Sequence, residues 1–443
     1  MIGRFPWDPF PQGEPAPSGD DPLLAAIYRG AVEGADAYRA VRSAVRREGG
    51  VLRVGNRFVP DGRYREVAFV ALGHAANSMA LAVLHVFGDR VTQGFVAGPE
   101  EPPAAVPFRA ETIGDGWGGD DAAPKVVEAA REIAKGLKES DLLLLLVSPG
   151  ALRALLVPPP GIDRRGFSEL LRELHRQGTS GADVAEVARV LGAGGVGGRL
   201  LPTGTPADVQ CLIVDRGDGP VAVGGGPTFP VTDAERLHAR ATLERTGLLA
   251  RLRLNDLDRP GDGRSPSEHR PVVVAAPADG LRSSADVAVD KGWTARVGVL
   301  GLNERPATAA ERFVASVESV LASERLAPGG RSKGFVVFAT TTLDLPEGVA
   351  ERPACEEFLA RVRGTLRRRE MSVGLFRTSG PTGPKPDFAG GAVGTPGEPG
   401  SAARAEIARP IRMRSGITDV GLVVAAVVPT GAGGGAVGSR PSR

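Results

Sequence analysis

Apolar residues along this 443-residue chain gather into short unbroken runs, separated by longer stretches in which they recur every three or four positions. The runs at 67–72 (VAFVAL) and 142–147 (LLLLLV) lack the in–out alternation of a half-buried strand, so they predict strands covered on both faces. Further strands are predicted at 92–97 and 209–215, and helices at 75–87, 125–139, 151–157, 167–177 and 183–191. Ahead of these, a helix is predicted over 22–49: Pro22 suits its first turn, Asp20 or Asp21 can cap it, and Gly49-Gly50 ends it. VLRVGNRFVP reads as a small hairpin around Gly55-Asn56. The second half repeats the alternation, with strands at 271–276, 295–300, 334–339, 372–377 and 422–428, and helices at 284–291 and 309–323. A Gly/Pro-rich stretch fills 380–402. Strands alternating with helices predict an α/β protein: a doubly wound, mostly parallel sheet and a second, smaller α/β domain, with a cleft between them. The expected division is an extended arm over 1–21, a first α/β domain over 22–250 and a second region over 251–437.

Composition narrows the classes. No apolar run approaches the ~20 residues of a membrane span, and the first residues, MIGRFPWDPFPQGEPAPSGDD, show no secretory signal pattern. Two cysteines, Cys211 and Cys355, do not make a disulfide framework, which points to a cytoplasmic protein. The 48 arginines against 6 lysines match the Ala/Arg/Gly bias of GC-rich coding, and a net charge of only +2 gives little purchase on nucleic acid. The Arg367-Arg368-Arg369 run reads as a solvated helix face. No two of the five histidines have the HxxxH spacing of a metal site on one helix.

Chemistry in such sheets collects at the carboxyl ends of the strands, where loop amides and helix N-termini attract anions. Five glycine-bearing loops stand at or near predicted strand ends. Leu72-Gly73-His74-Ala75 places His74 at the start of a helix, able to bond a ligand or relay a proton, or else to bond locally. Val147-Ser148-Pro149-Gly150 is the second. In Gly192–Arg199, Gly197 and Gly198 let the backbone approach a ligand and Arg199 can pair with an oxyanion, or form a surface ion pair. The loop Asp215-Arg216-Gly217-Asp218 leads to Gly224-Gly225-Gly226-Pro227-Thr228; Asp218 can hold a metal or accept a proton, or simply form a turn. Thr378-Ser379-Gly380-Pro381-Thr382-Gly383-Pro384-Lys385 offers a lysine to an anion, with Asp387 beside it. Neither GxxxxGK[ST] nor a GxGxxG after a strand is present, which disfavours a dinucleotide-dependent oxidoreductase.

In order along the chain, these segments resemble the glycerate 2-kinase family, whose C-terminal part is the MOFRL domain. ALGHAANSMA is similar to the family's G-K-A-A-x-x-M-A, and LLVSPGALRALLVPPPG to I-S-G-G-G-S-A-L-L-x-x-P. GADVAEVARVLGAGGVGGRL resembles G-A-x-I-x-E-x-N-x-V-R-K-x-L-S-x-I-K-G-G-R-L, two residues shorter. LIVDRGDGPVAVGGGPT keeps Gly217, Asp218 and Gly226-Pro227-Thr228 of the next motif. GFVVFATTTLDLPEG resembles the strand ending G-G-E-T-T-V, RTSGPTGPKPDFAGGAV resembles G-T-D-G-x-D-G-P-T-D-A-A-G-A, and SGITDVGLVVAAV resembles the closing G-x-T-N-V-x-D-L. The resemblance implies ATP-dependent phosphorylation of D-glycerate with Mg²⁺. It also implies His74, Arg199 and Asp218 as catalytic positions, with Asp218 as metal ligand. Gly73, Ser148, Gly150, Gly197, Gly198, Thr378, Gly380, Gly383 and Lys385 would be the nucleotide-binding positions.

The departures concentrate on charge. His74 stands where the family has Lys, Leu191 and Gly192 where it has Arg-Lys, Val196 where it has a further Lys, and Ala188 where it has Asn. Ser379 and Thr382 stand in the place of two carboxylates, and Pro149 has no N–H to donate. In the region of the unrecognised G-G-R-N-x-E motif, only Arg352 or Glu357 could substitute. Two readings follow: a kinase acting on glycerate or a related small hydroxy acid, or an idle paralogue serving as a binding or regulatory subunit. The expected partners are the acid and the nucleotide, together with a second copy or an active paralogue, and neither nucleic acid nor membrane.

Overall fold

The computed structural model describes residues 22–114, 122–217, 219–252, 271–302, 305–324, 333–341, 351–365, 372–377, 390–393 and 422–429. The expected arm 1–21, the Arg367-Arg368-Arg369 run and most of the 380–402 stretch lie outside these residues.

The single helix expected over 22–49 is three elements: α1 (Pro22–Gly34), α2 (Ala37–Ala44) and β1 (Val45–Glu48). Asp36 starts α2, its carboxylate accepting the Tyr38 N–H at 2.9 Å, as an N-cap requires. Gly49 and Gly50, at φ +59 and +77, make a two-residue hairpin turn and do not end a helix. With β2 (Val51–Val54) and β3 (Arg57–Pro60) the segment forms a small antiparallel sheet, turning at Gly55-Asn56 as expected.

The main sheet is all parallel. In chain order it comprises β4 (Val67–Leu72), α3 (Ala76–Phe87), β5 (Val91–Gly98), β6 (Arg109–Thr112), α4 (Ala123–Gly136), β7 (Leu142–Val147) and α5 (Ala151–Leu155). Then follow α6 (Arg164–Arg176), α7 (Gly181–Leu191), β8 (Asp208–Val214), α8 (Pro220–Gly224), α9 (Asp233–Arg245) and β9 (Val272–Ala275). The strand order is β6-β5-β4-β7-β8-β9. Every residue of β4 and β7 is buried, and their alternate side chains enter two different cores. Val70, Leu72, Leu143 and Leu145 meet α4, α6 and α7, whereas Phe69, Ala71, Leu144 and Leu146 meet α2 and α3. Burying each such side chain contributes roughly 1.5–3 kcal/mol, which is why these runs tolerate no polar position.

The second unit comprises α10 (Pro277–Asp290), β10 (Thr294–Leu302), α11 (Pro306–Glu324), β11 (Gly334–Thr341), α12 (Glu351–Thr365), β12 (Ser372–Arg377), β13 (Gly390–Val393) and β14 (Leu422–Pro429). Its strand order is β10-β11-β14-β12-β13, with β14 antiparallel to both of its neighbours. Helix α1 packs on this sheet and not on the first. Leu24, Ile27, Tyr28 and Ala31 share a core with Leu281, Ala288, Val336 and Phe338. No helix among the described residues is long and apolar enough to cross a membrane.

Between α2 and α3, the Tyr38 hydroxyl meets His85 Nδ1 at 2.5 Å and accepts a bond from Arg42 at 3.3 Å. Burial, reinforced by the Arg42 charge, lowers the basicity of His85. The folded state therefore binds the His85 proton less readily than the unfolded chain, and stability falls as pH drops below about 6.5. We expect the loss of Tm between pH 7 and pH 5 to be smaller in His85→Gln than in the natural protein. Equal losses in thermal melts would show that His85 carries none of the pH dependence.

Candidate functional site

The chain winds outward in both directions from the centre of the main sheet: β4, β5, β6 to one side and β7, β8, β9 to the other. The carboxyl ends of β4 and β7 therefore flank the topological switch point, where open parallel sheets hold their ligands. The two loops leaving these ends bring together Gly73, His74, Ser148 and Gly150.

Glycine is required at position 73. Its φ is +100, and a Cβ there would lie 2.3 Å from the Ser148 carbonyl oxygen and 2.6 Å from that of Pro149. Ser148, fully buried, donates its hydroxyl to the Leu72 carbonyl at 2.9 Å and accepts the Ala75 N–H at 3.0 Å. The His74 N–H is donated to the Pro149 carbonyl at 2.8 Å. Gly150, at φ +90, leaves room for the His74 ring: a Cβ there would stand 2.8 Å from Nε2. The proline that removed a donor from the second loop thus supplies an acceptor to the first, and two amides at the start of α3 are spent inside the protein.

Next along the sheet, β8 is followed by Asp215, whose Oδ1 accepts the N–H groups of Gly217 at 3.0 Å and Gly219 at 3.1 Å. Asp218 itself lies outside the described residues, as do Thr378, Gly380, Gly383 and Lys385.

The third and fourth glycine loops lie against each other. Gly197 and Gly198 donate to the carbonyls of Gly225 and Gly226, each at 2.8 Å, and all four have positive φ. A Cβ on Gly224 would lie 2.5 Å from Val147 Cγ1, so this seam reaches the end of β7. Arg199 is only 5% exposed and bonds inward, donating Nη1 to the Gly192 carbonyl at 2.9 Å. Thr228, of the retained Gly-Pro-Thr, is buried beside Cys211, whose thiol burial pushes up to about 12 against the opposing Thr228 bond.

Arg189 escaped the reading of the sequence. It is 1% exposed, donates to the carbonyls of Phe229 at 3.0 Å and Pro230 at 2.8 Å, and pairs with Glu235. Burial draws its basicity down, with Glu235 opposing. Glu235 also accepts the Thr232 N–H at 2.7 Å and the Thr232 hydroxyl at 2.8 Å, starting α9. One signal was present in the sequence: Arg189 follows apolar Ala185 by four residues, on the same face of α7.

Among the described residues, no group of three or more His, Cys, Asp or Glu side chains can hold a metal ion. The amides of His74, Ala75, Gly197 and Gly198 all bond to protein oxygens. A triphosphate needs such donors free, together with cations around it. Among the described residues these four amides are engaged within the protein, and the ends of β4, β7 and β8 carry in turn an imidazole, a buried hydroxyl and a carboxylate that takes up loop amides.

The model of a family described as a domain of unknown function (DUF4147) matches residues 23–255, more than half of the chain. The chain is 28% identical to a glycerate kinase of Danio rerio over 219 residues, 46% of this chain and 43% of that protein. It is 27% identical to the glycerate kinase of Homo sapiens over 177 residues, 36% of this chain and 33% of that one. These matches span less than half the length of the curated relatives. The fold is that of the PH0495 protein from Pyrococcus horikoshii OT3, with a TM-score of 0.68 at 19% identity, covering 92% of this chain and 98% of that one. It is equally that of a glycerate kinase from Thermotoga maritima, with a TM-score of 0.67 at 20% identity over 91% and 98% of the two chains. The chain belongs to the DUF4147 family, and its sequence relatives include glycerate kinases.

Proposed function

We propose that this is a glycerate 2-kinase-like protein whose loops at the carboxyl ends of β4 and β7 take a small hydroxy acid such as D-glycerate. One observation carries the reading. The strand order that creates the switch point brings His74 and Ser148 to it, in a chain whose relatives are glycerate kinases. The reaction of that kinship is ATP-dependent phosphorylation to 2-phosphoglycerate in the cytoplasm. Asp218 would be the Mg²⁺ ligand, and Thr378, Gly380, Gly383 and Lys385 would take the nucleotide, in the MOFRL-like part of the chain.

A second reading, an idle paralogue that binds the acid and pairs with a second copy or an active relative, is favoured by the hydrogen bonds that stitch the first two loops together. Loss of a single charge-stabilising donor typically costs ~10²–10³-fold in rate. Here His74 replaces a lysine, and two helix-start amides are already engaged. A coupled assay for ADP release with ATP, Mg²⁺ and D-glycerate decides between them. Turnover that requires both substrates establishes the kinase. A rise in Tm with D-glycerate and no ADP establishes the binding protein. Neither turnover nor stabilisation would discard these loops as a hydroxy-acid site.

A further inference from the structure

The chain passes between its two units at two places. One is Ala35-Asp36, between α1 on the second sheet and α2 on the first. The other is the single residue Ala276, between β9 in the first sheet and α10 on the second. The two crossings lie side by side, since a Cβ on Gly280 of α10 would come 3.5 Å from that of Ala35. Each is bounded by a helix start fixed by an aspartate. Asp36 caps α2, and Asp279 accepts the Ala276 N–H at 2.9 Å at the start of α10.

On the second-unit side the fit is close. A Cβ on Gly34 would lie 2.5 Å from the Asp279 carbonyl oxygen and 2.6 Å from Ser283 Cβ. Ser284 donates to the Ile27 carbonyl at 3.0 Å, so α1 and α10 are held as one piece. Away from this joint, the described elements pack chiefly within their own unit. Units joined, among the described residues, through so small an interface move relative to each other unless something else holds them. Hinges of this kind are a few residues at element ends that absorb the backbone change.

We infer that the two units turn about this two-strand joint, at Ala35-Asp36 and Ala276, with α1 travelling as part of the second unit although it precedes the first in sequence. Motion of this sort is how a site carried on one unit is covered by the other. The inference holds whatever the loops at the ends of β4 and β7 bind.

Spin labels test it in the full chain, with Cys211 and Cys355 replaced by alanine. Cysteines are placed at exposed Glu48 in the first unit, Arg29 on α1 and Arg296 on β10, two at a time. Pulsed dipolar distances are expected to be narrow for Arg29–Arg296, and several times broader for Glu48–Arg296 and Glu48–Arg29. Ala35→Gly with Ala276→Gly should broaden the two cross-joint distributions further and leave Arg29–Arg296 unchanged. A Glu48–Arg296 distribution as narrow as Arg29–Arg296 would make the protein one rigid body. A narrow Glu48–Arg29 pair with a broad Arg29–Arg296 pair would put α1 on the first unit. Either result overturns the inference, as would glycine variants that leave every distribution unchanged.

Discussion

Replacing Gly73 by alanine is expected to lower the unfolding free energy by at least about 3 kcal/mol, from backbone strain and overpacking together. The φ of +100 disfavours any L side chain. The new methyl would also sit 2.3 Å from the Ser148 carbonyl oxygen, which belongs to backbone anchored by its own N–H to the Leu72 carbonyl at 2.9 Å. Neither loop can yield without giving up the bonds between His74 and Pro149 and between Ala75 and Ser148. Gly178→Ala is the control, with a similar φ of +81 and nothing within 4 Å of its Cβ. It should cost only about 1–2 kcal/mol, the conformational part alone. Urea denaturation of the two variants separates strain from collision, and equal losses would mean that the two loops are not locked together. Since whole domains are stable by about 5–15 kcal/mol, Gly73→Ala should also melt well below the natural protein.

Glu235→Ala should be comparably damaging, at about 3–5 kcal/mol, because it leaves a buried guanidinium without its counter-charge. Arg189 would keep the Phe229 and Pro230 carbonyls, the Phe229 ring and the charge of Glu186, and α9 would lose the carboxylate that takes up the Thr232 N–H. Arg189→Met should cost less, because Glu235 retains partial exposure and its Thr232 bonds. The double variant Arg189→Met, Glu235→Gln should be more stable than Glu235→Ala alone, as removing both charges removes the uncompensated one. Denaturation midpoints that put the double variant below Glu235→Ala would refute this account of the pair.

The parts of the fold that could be read from the chain are those in which one physical demand dominates. VAFVAL and LLLLLV are buried on both faces and so carry no polar residue, and the glycine after the first marks a positive φ. From these two strands and their loops, the switch-point set Gly73, His74, Ser148 and Gly150 followed. Competing demands hid the rest. Residues 22–49 have helical spacing almost throughout, yet Asp36 prefers to cap and Val45 to pair, so tertiary contacts divided the segment. RAET of β6 is an edge strand without an apolar run, and α9 buries only Ala239, Thr242 and Leu243 of its length. Arg199 followed two glycines as an anion-binding residue would, but its guanidinium turned inward to Gly192. A sequence shows that an arginine is present; only the packing decides which way it faces.

Helix α1 has a consequence for how the protein is made. Its apolar face, with Leu24, Ile27 and Tyr28, leaves the ribosome long before β14, the inner strand of the sheet on which it rests. In the interval that face lacks the completed sheet, while the first unit can already close around β4 and β7. Contacts this distant in sequence form slowly, and uncovered apolar surface invites aggregation. The nascent chain should therefore depend on holding chaperones until β14 is released.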